Sequence, residues 1–217
     1  MLKALLIDLD ETLYRPQTGM LSAGDRAITA FIATHLGIAA QQADSIRVDL
    51  WLRYGTTAAG FEREYGVAQA DFYAATIETV DPTEYISPEP ELAAMLAQLP
   101  LRLCLFTNAT EAYAEGVLHA LRVREQFSTI YDIASRDWCP KPEPRAYDTV
   151  MSALELPPAE VGFVEDHVAN IPPARELGWT VFLMRQEHPA AHYVLDDILD
   201  LEALLRRERL CESGPAR

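Results

Sequence analysis

The chain has 217 residues, 49% of them hydrophobic, enough to bury a sizeable core as one main domain with a smaller insertion or companion. Its 18 basic residues against 33 acidic ones give a formal charge of −15, which argues against a nucleic-acid polymer or an anionic membrane as the main partner. If the substrate is an anion, local positive groups or a metal have to overcome that field.

Apolar runs of strand type recur along the chain. The first, "ALLIDLD", ends in Asp8 and Asp10. Later ones are "LRLCLFTN" near 101–108, "STIYDIAS" near 128–135, "EVGFVED" near 160–166 and "WTVFLM" near 179–184. Most are continuous rather than alternating, as in strands covered on both faces of a parallel sheet. Helical patterns separate them. "TEAYAEGVLHALRV" has Thr110 as its N-cap, "EPRAYDTVMSALEL" has Pro144 in its first turn, and "PPARELG" closes on Gly178. Strand and helix alternating in this way predict an α/β fold, a doubly wound, Rossmann-like parallel sheet.

Residues 15–88 break the rhythm, with four helical patterns and no strand signal: "SAGDRAITAFIATHLG", "AAQQADSIRVDLWLRYG", "TAAGFEREYG" and "AQADFYAATIETV". They predict a helical insertion after the first strand, with residues 1–14 and 89–217 forming the α/β core. The segment "DDILDLEALLRRERL" reads as helical and the final "CESGPAR" as frayed. Cys104, Cys139 and Cys211 form neither a zinc pattern nor a disulfide framework and read as free thiols. The N-terminus lacks a signal-peptide layout, and no apolar stretch approaches the roughly 20 residues of a membrane span. The expectation is a cytoplasmic protein without a membrane partner.

Four strand ends carry chemistry. Side chains alternate along a strand, so Asp8 and Asp10 start on the same side, where two close carboxylates need a cation or a shared proton. Mg²⁺ suits them, and so does a solvated turn. Thr107 and Asn108 precede a helix start, which is a seat for phosphate or an ordinary cap. Lys141 stands between two prolines, which hold its backbone stiff. Glu165 and Asp166 end another strand. A parallel sheet gathers all these ends on one edge, where ligands bind.

In order, "DLDET", "FTN", "KP" and "EDHVAN" resemble the motifs of the haloacid dehalogenase superfamily phosphatases, and the helical insertion resembles that family's cap domain. "DLDETLY", "RYGTTAAGF", "LFTNAT" and "YDIASRDWCPKPEPRAY" are similar to pyrimidine 5′-nucleotidase-like hydrolases. The resemblance implies Asp8 as nucleophile forming an aspartyl-phosphate, Asp10 as acid and base, and Lys141 offsetting charge. It implies Mg²⁺ on the Asp8 carboxylate, the Asp10 carbonyl and Asp166, with Thr107 and nearby amides holding the phosphoryl group. Glu165 and His167 depart from the family pattern. Glu165 reads as either a metal ligand or a neighbour of one, and His167 is given no role. Asn170 is expected to orient Asp166 or Lys141, and Thr12 to fix its loop.

Aromatic residues in the insertion read mainly as core. Tyr54, Gly55 and Thr56 are the exception, expected to face the catalytic edge and screen the leaving group. The implied substrate is a small phosphorylated metabolite, with a pyrimidine nucleotide as one candidate. A sugar phosphomutase and a phosphate-binding module without turnover stand as alternatives.

Overall fold

The computed structural model describes residues 1–211. Six strands form one sheet: β1 (Ala4–Ile7), β2 (Arg102–Phe106), β3 (Thr129–Tyr131), β4 (Val161–Glu165), β5 (Thr180–Met184) and β6 (Tyr193–Leu195). Their order is β3-β2-β1-β4-β5-β6, and every pairing is parallel. This is the doubly wound α/β arrangement, with the chain reversing direction across the sheet beside β1.

Alternation along the strands builds two apolar layers. Leu5, Ile7, Leu103, Leu105 and Val164 face one cluster, beneath α5 (Pro90–Gln98), α6 (Glu111–Leu121) and α9 (Leu201–Arg207). Ala4, Leu6, Cys104, Phe106 and Phe163 face the other, beneath α7 (Pro144–Leu154) and α8 (Ile171–Glu176). Burial on both faces explains why these runs are continuously apolar. Early in β4 the neighbours crowd the position of a side chain, since a Cβ on Gly162 would stand 2.6 Å from Leu5 Cδ2.

Between β1 and α5 the chain is helical: α1 (Met20–Leu36), α2 (Ala40–Tyr54), α3 (Thr57–Tyr65) and α4 (Gln69–Ala74). These helices enclose their own cluster of Ile32, Ala43, Leu50, Ala58, Phe61, Phe72 and Tyr73, joined by Ile133 from beyond β3. Phe61, Phe72 and Tyr73 are core, whereas Trp51 and Tyr65 stay exposed.

Several boundaries differ from the sequence reading. The pattern at 68–80 predicts one helix, but α4 stops at Ala74 and a short 3₁₀ turn follows at Ile77–Thr79. The buried Thr76 hydroxyl donates to the Phe72 carbonyl at 2.6 Å, a local bond that competes with helix continuation. Thr110 stands at the N-cap of α6, yet its hydroxyl donates to Glu78. The Asp132 carboxylate accepts the Glu111 N–H in its place. The sequence reading leaves out helix α5, although its buried Leu92, Met95 and Leu96 recur at helical spacing, and strand β6 is too short to leave a pattern. The residues from 196 onward begin as a 3₁₀ turn at Ile198–Asp200, so α9 is short. Cys104, Cys139 and Cys211 are buried free thiols, and the rest of the "CESGPAR" tail lies outside the described residues. Among the described residues no helix is long and apolar enough to cross a membrane.

Candidate active site

The parallel register brings the C-terminal ends of β1, β2 and β4 side by side, and the residues just beyond them meet. Asp8 follows β1, and its N–H extends the ladder to the Val164 carbonyl at 2.9 Å. The residue is 6% exposed. Lys141 Nζ lies 2.7 Å from Asp8 Oδ1 and 2.7 Å from Glu165 Oε2, and it also donates to the Phe106 carbonyl at 2.8 Å. At 2% exposure this ammonium is buried with all three donors engaged.

Asp8, Glu165 and Asp166 place carboxylate oxygens within 4.8 Å of one another. Burial pushes Asp8 up to about 7, and the charge of Glu165 adds to the effect. Burial and the charges of Asp8 and Glu165 push Asp166 up to about 9. Three acids share one lysine, so buried negative charge is in excess. A divalent cation would offset it, and hard carboxylate oxygens are the donors Mg²⁺ takes. The donor set therefore fits that ion. Asp8 and Asp166 have the capacity for it, since each Asp8 oxygen accepts a single donor, whereas each Glu165 oxygen already accepts two. Glu165 Oε1 accepts the Asp166 and His167 N–H groups at 3.2 and 3.0 Å. Glu165 Oε2 takes Lys141 and the Asn170 amide, the latter at 2.9 Å. Asn170 thus orients Glu165, rather than touching Asp166 or Lys141 as the sequence reading expects.

Asp10 lies beyond the strand, outside this carboxylate cluster, with burial raising its carboxyl. Thr12, read as a loop-fixing residue, donates to Asp8 Oδ2 at 3.3 Å. Thr107 is buried, and its hydroxyl accepts the Ala109 N–H at 3.0 Å, which turns the chain into α6. Asn108 departs from the reading as a phosphate ligand. Its Oδ1 accepts the Lys141 N–H at 2.7 Å and its Nδ2 donates to the Lys141 carbonyl at 2.9 Å. With both ends of the amide spent on the lysine loop, the side chain positions Lys141.

The helical segment meets this edge at several points. Trp51 packs edge-on against His167, with ring centroids 5.9 Å apart. A Cβ on Gly55 would lie 3.1 Å from Pro140 Cγ, and the Tyr73 hydroxyl donates to the Asn108 carbonyl at 3.3 Å. Thr56 is buried as the N-cap of α3, accepting the Ala59 N–H. Tyr54 does not face the edge as expected. Its hydroxyl donates to Glu64 at 2.9 Å, and the Arg53 and Arg63 guanidinium groups lie over its ring. The charged face of α3 captures it.

Sequence reasoning gave no role to Arg136, which is 2% exposed. Its guanidinium donates to the carbonyls of Asp132, Cys139 and Thr107 and lies 4.8 Å from the Phe106 ring centroid. A buried arginine bound to three carbonyls ties the loops carrying Thr107 and Lys141 together. From sequence it is one more polar residue in a loop.

The haloacid dehalogenase-like hydrolase family matches residues 2–178. Phosphate metabolism protein 8 of Saccharomyces cerevisiae (strain ATCC 204508 / S288c) is 24% identical over 190 residues, covering 81% of this chain. The chain spans 59% of that relative's length. CbbY from Rhodobacter sphaeroides in complex with phosphate superposes with a TM-score of 0.70 at 21% identity, over 93% of this chain and 96% of that one. L-2-haloacid dehalogenase from Xanthobacter autotrophicus with chloropropionic acid covalently bound gives 0.61 at 18% identity, over 95% and 99%. At these identities the two structures share the fold with this chain.

Proposed function

Because this chain belongs to the haloacid dehalogenase-like hydrolases, we propose that it is a Mg²⁺-dependent phosphomonoester hydrolase acting through an aspartyl-phosphate on Asp8. The observation that carries this reading is the Asp8–Lys141–Glu165 cluster, with Asp166 beside it and a second aspartate, Asp10, held close by.

In the first half-reaction an Asp8 oxygen attacks phosphorus, and the ester P–O bond breaks with its electron pair on the leaving oxygen. Asp10 gives that oxygen its proton, so an alcohol departs. In the second half, Asp10 takes a proton from the water that attacks phosphorus, and the Asp8 carboxylate is released together with inorganic phosphate. Lys141 fixes the attacking Asp8 and offsets charge where it accumulates. Thr107 and nearby backbone amides form the phosphoryl seat. Mg²⁺, held by Asp8, Asp166 and the Asp10 carbonyl, would supply charge stabilisation to the phosphoryl oxygens.

Two neighbours bear on the reaction class. CbbY is bound to phosphate, and the curated yeast relative is named for phosphate metabolism. The dehalogenase neighbour shares the fold, but departure of a halide needs no proton donor. A hydrogen-bonded Asp10 favours an ester leaving group.

Residues 15–88 act as a cap in this reading, with Trp51, Gly55 and Tyr73 as their contacts to the catalytic edge. The substrate is a small phosphorylated metabolite, and a pyrimidine nucleotide is the first to test, on the likeness of "DLDETLY" and "RYGTTAAGF". Three free cysteines suit a cytoplasmic setting.

Hydrolysis of p-nitrophenyl phosphate with Mg²⁺ and with a chelator tests the class, and a panel of phosphorylated metabolites tests the substrate. Mg²⁺-dependent phosphate release supports the reading. Chloride release from 2-chloropropionate without any phosphatase activity would overturn it.

A further inference from the structure

Two tyrosines converge on one oxygen of Asp10. Tyr14 donates to Asp10 Oδ1 at 2.5 Å and Tyr113 donates to the same oxygen at 2.8 Å. They come from different elements. Tyr14 follows Asp10 by four residues in the turn after β1, and Tyr113 stands in the first turn of α6, behind the strand end that carries Thr107. Each is 5% exposed, with its ring in the sheet's main apolar cluster. Burial and the charge of Asp10 hold both phenols well above the usual tyrosine range, so both remain O–H donors.

We propose that Tyr14 and Tyr113 are positioning residues that fix the Asp10 carboxyl group and leave Oδ2 as the oxygen that carries the proton. The inference rests on the phosphomonoesterase reading. A carboxyl group turns easily about its last torsion, which has broad, nearly twofold preferences. Two donors on Oδ1 remove that freedom and fill the lone pairs of that atom. Among the described residues no hydrogen bond engages Oδ2. Proton delivery therefore runs from Oδ2–H to the leaving oxygen as the ester P–O bond breaks. The electron pair of that bond ends on the leaving oxygen, and Asp10 is left as carboxylate. Both phenols still donate to Oδ1 in that state, so the group keeps its orientation for the second half-reaction.

The test compares two esters that differ in their need for an acid. p-Nitrophenolate leaves without protonation, whereas the alkoxide of glycerol 2-phosphate requires it. The quantity measured is kcat/KM, which reports only the steps through loss of the leaving group. Tyr14→Phe, Tyr113→Phe and the double variant keep the rings and the packing. Positioned general acids contribute about 10²–10⁴-fold, so the double variant is expected to lose about tenfold to a hundredfold on glycerol 2-phosphate, and at least about tenfold more than on p-nitrophenyl phosphate. Each single variant is expected to show the same bias to a smaller degree. Equal losses on both esters would assign the tyrosines to packing and overturn the proposal. Wild-type protein inactive on both esters would overturn the phosphatase reading itself.

Discussion

Lys141 reaches Asp8 across 133 positions of sequence, and its ammonium lies 2.7 Å from Asp8 Oδ1. The same ammonium holds Glu165 at 2.7 Å, so one buried cation serves two buried acids. Removing one partner of a buried pair leaves the other charges uncompensated. Lys141→Met is expected to cost about 3–5 kcal/mol in the metal-free protein at neutral pH, read by denaturant titration, together with loss of turnover. A variant as stable as wild type would show that the acids do not depend on the lysine.

Asn108→Ala tests the role the structure assigns to that amide. Two buried backbone groups of Lys141 would lose their partners, at a cost of about 1–3 kcal/mol. The expected kinetic effect is a fall in kcat as Lys141 loosens. A rise in KM alone, at unchanged stability, would restore the reading of Asn108 as a phosphate ligand.

Metal dependence should grow with pH. The folded values of about 7 for Asp8 and about 9 for Asp166 both lie above the ordinary 3.8 of the unfolded chain. Between these limits the folded state holds protons that the unfolded chain has already released. The contribution of these groups is therefore present at low pH and lost as pH rises from about 4 to about 9. Mg²⁺ on these acids would bind their ionised form and reverse the loss. The shift in melting temperature on adding Mg²⁺ should be larger at pH 8 than at pH 5. An equal or smaller shift at pH 8 would place the cation elsewhere.

Gly55 and Tyr54 are neighbours with opposite expectations. Gly55 has φ +81°, and a Cβ there would press on Pro140, next to Lys141. Gly55→Ala should therefore destabilise by about 1 kcal/mol or more and lower turnover through the lysine loop. Tyr54→Phe loses only bonds within the helical segment, to Glu64 and from Arg53, so the ranking of phosphate esters by kcat/KM should not change. A changed ranking would bring Tyr54 back to the substrate.

What was legible in the sequence follows from what is local. Continuous apolar strands and intervening helices announce the parallel sheet, and that sheet places Asp8, Thr107, Glu165 and Asp166 on one edge, whereas Lys141 lies well beyond β3 and is brought there by the loop that Asn108 and Arg136 hold. The strands were readable because burial on both faces leaves a continuous apolar run. Strand β6, three residues long, leaves no such trace. Side-chain direction in loops and at helix ends was not legible. Asn108 turns to Lys141 and Tyr54 to Glu64 because partners distant in sequence capture them. The same holds for Tyr113, which sits 103 positions from Asp10 and reads as one more apolar helix residue. Arg136 went unread because its partners are backbone carbonyls, which no sequence pattern marks.

The central claim is a phosphoryl group carried by Asp8. The most direct measurement quenches the enzyme in acid during turnover of p-nitrophenyl phosphate with Mg²⁺ and maps the modified peptide by mass spectrometry. The account predicts one phosphoryl group on the peptide containing Asp8, absent from Asp8→Asn, which is also inactive. Turnover by wild type with that peptide unmodified, alongside undiminished activity in Asp8→Asn, would contradict it.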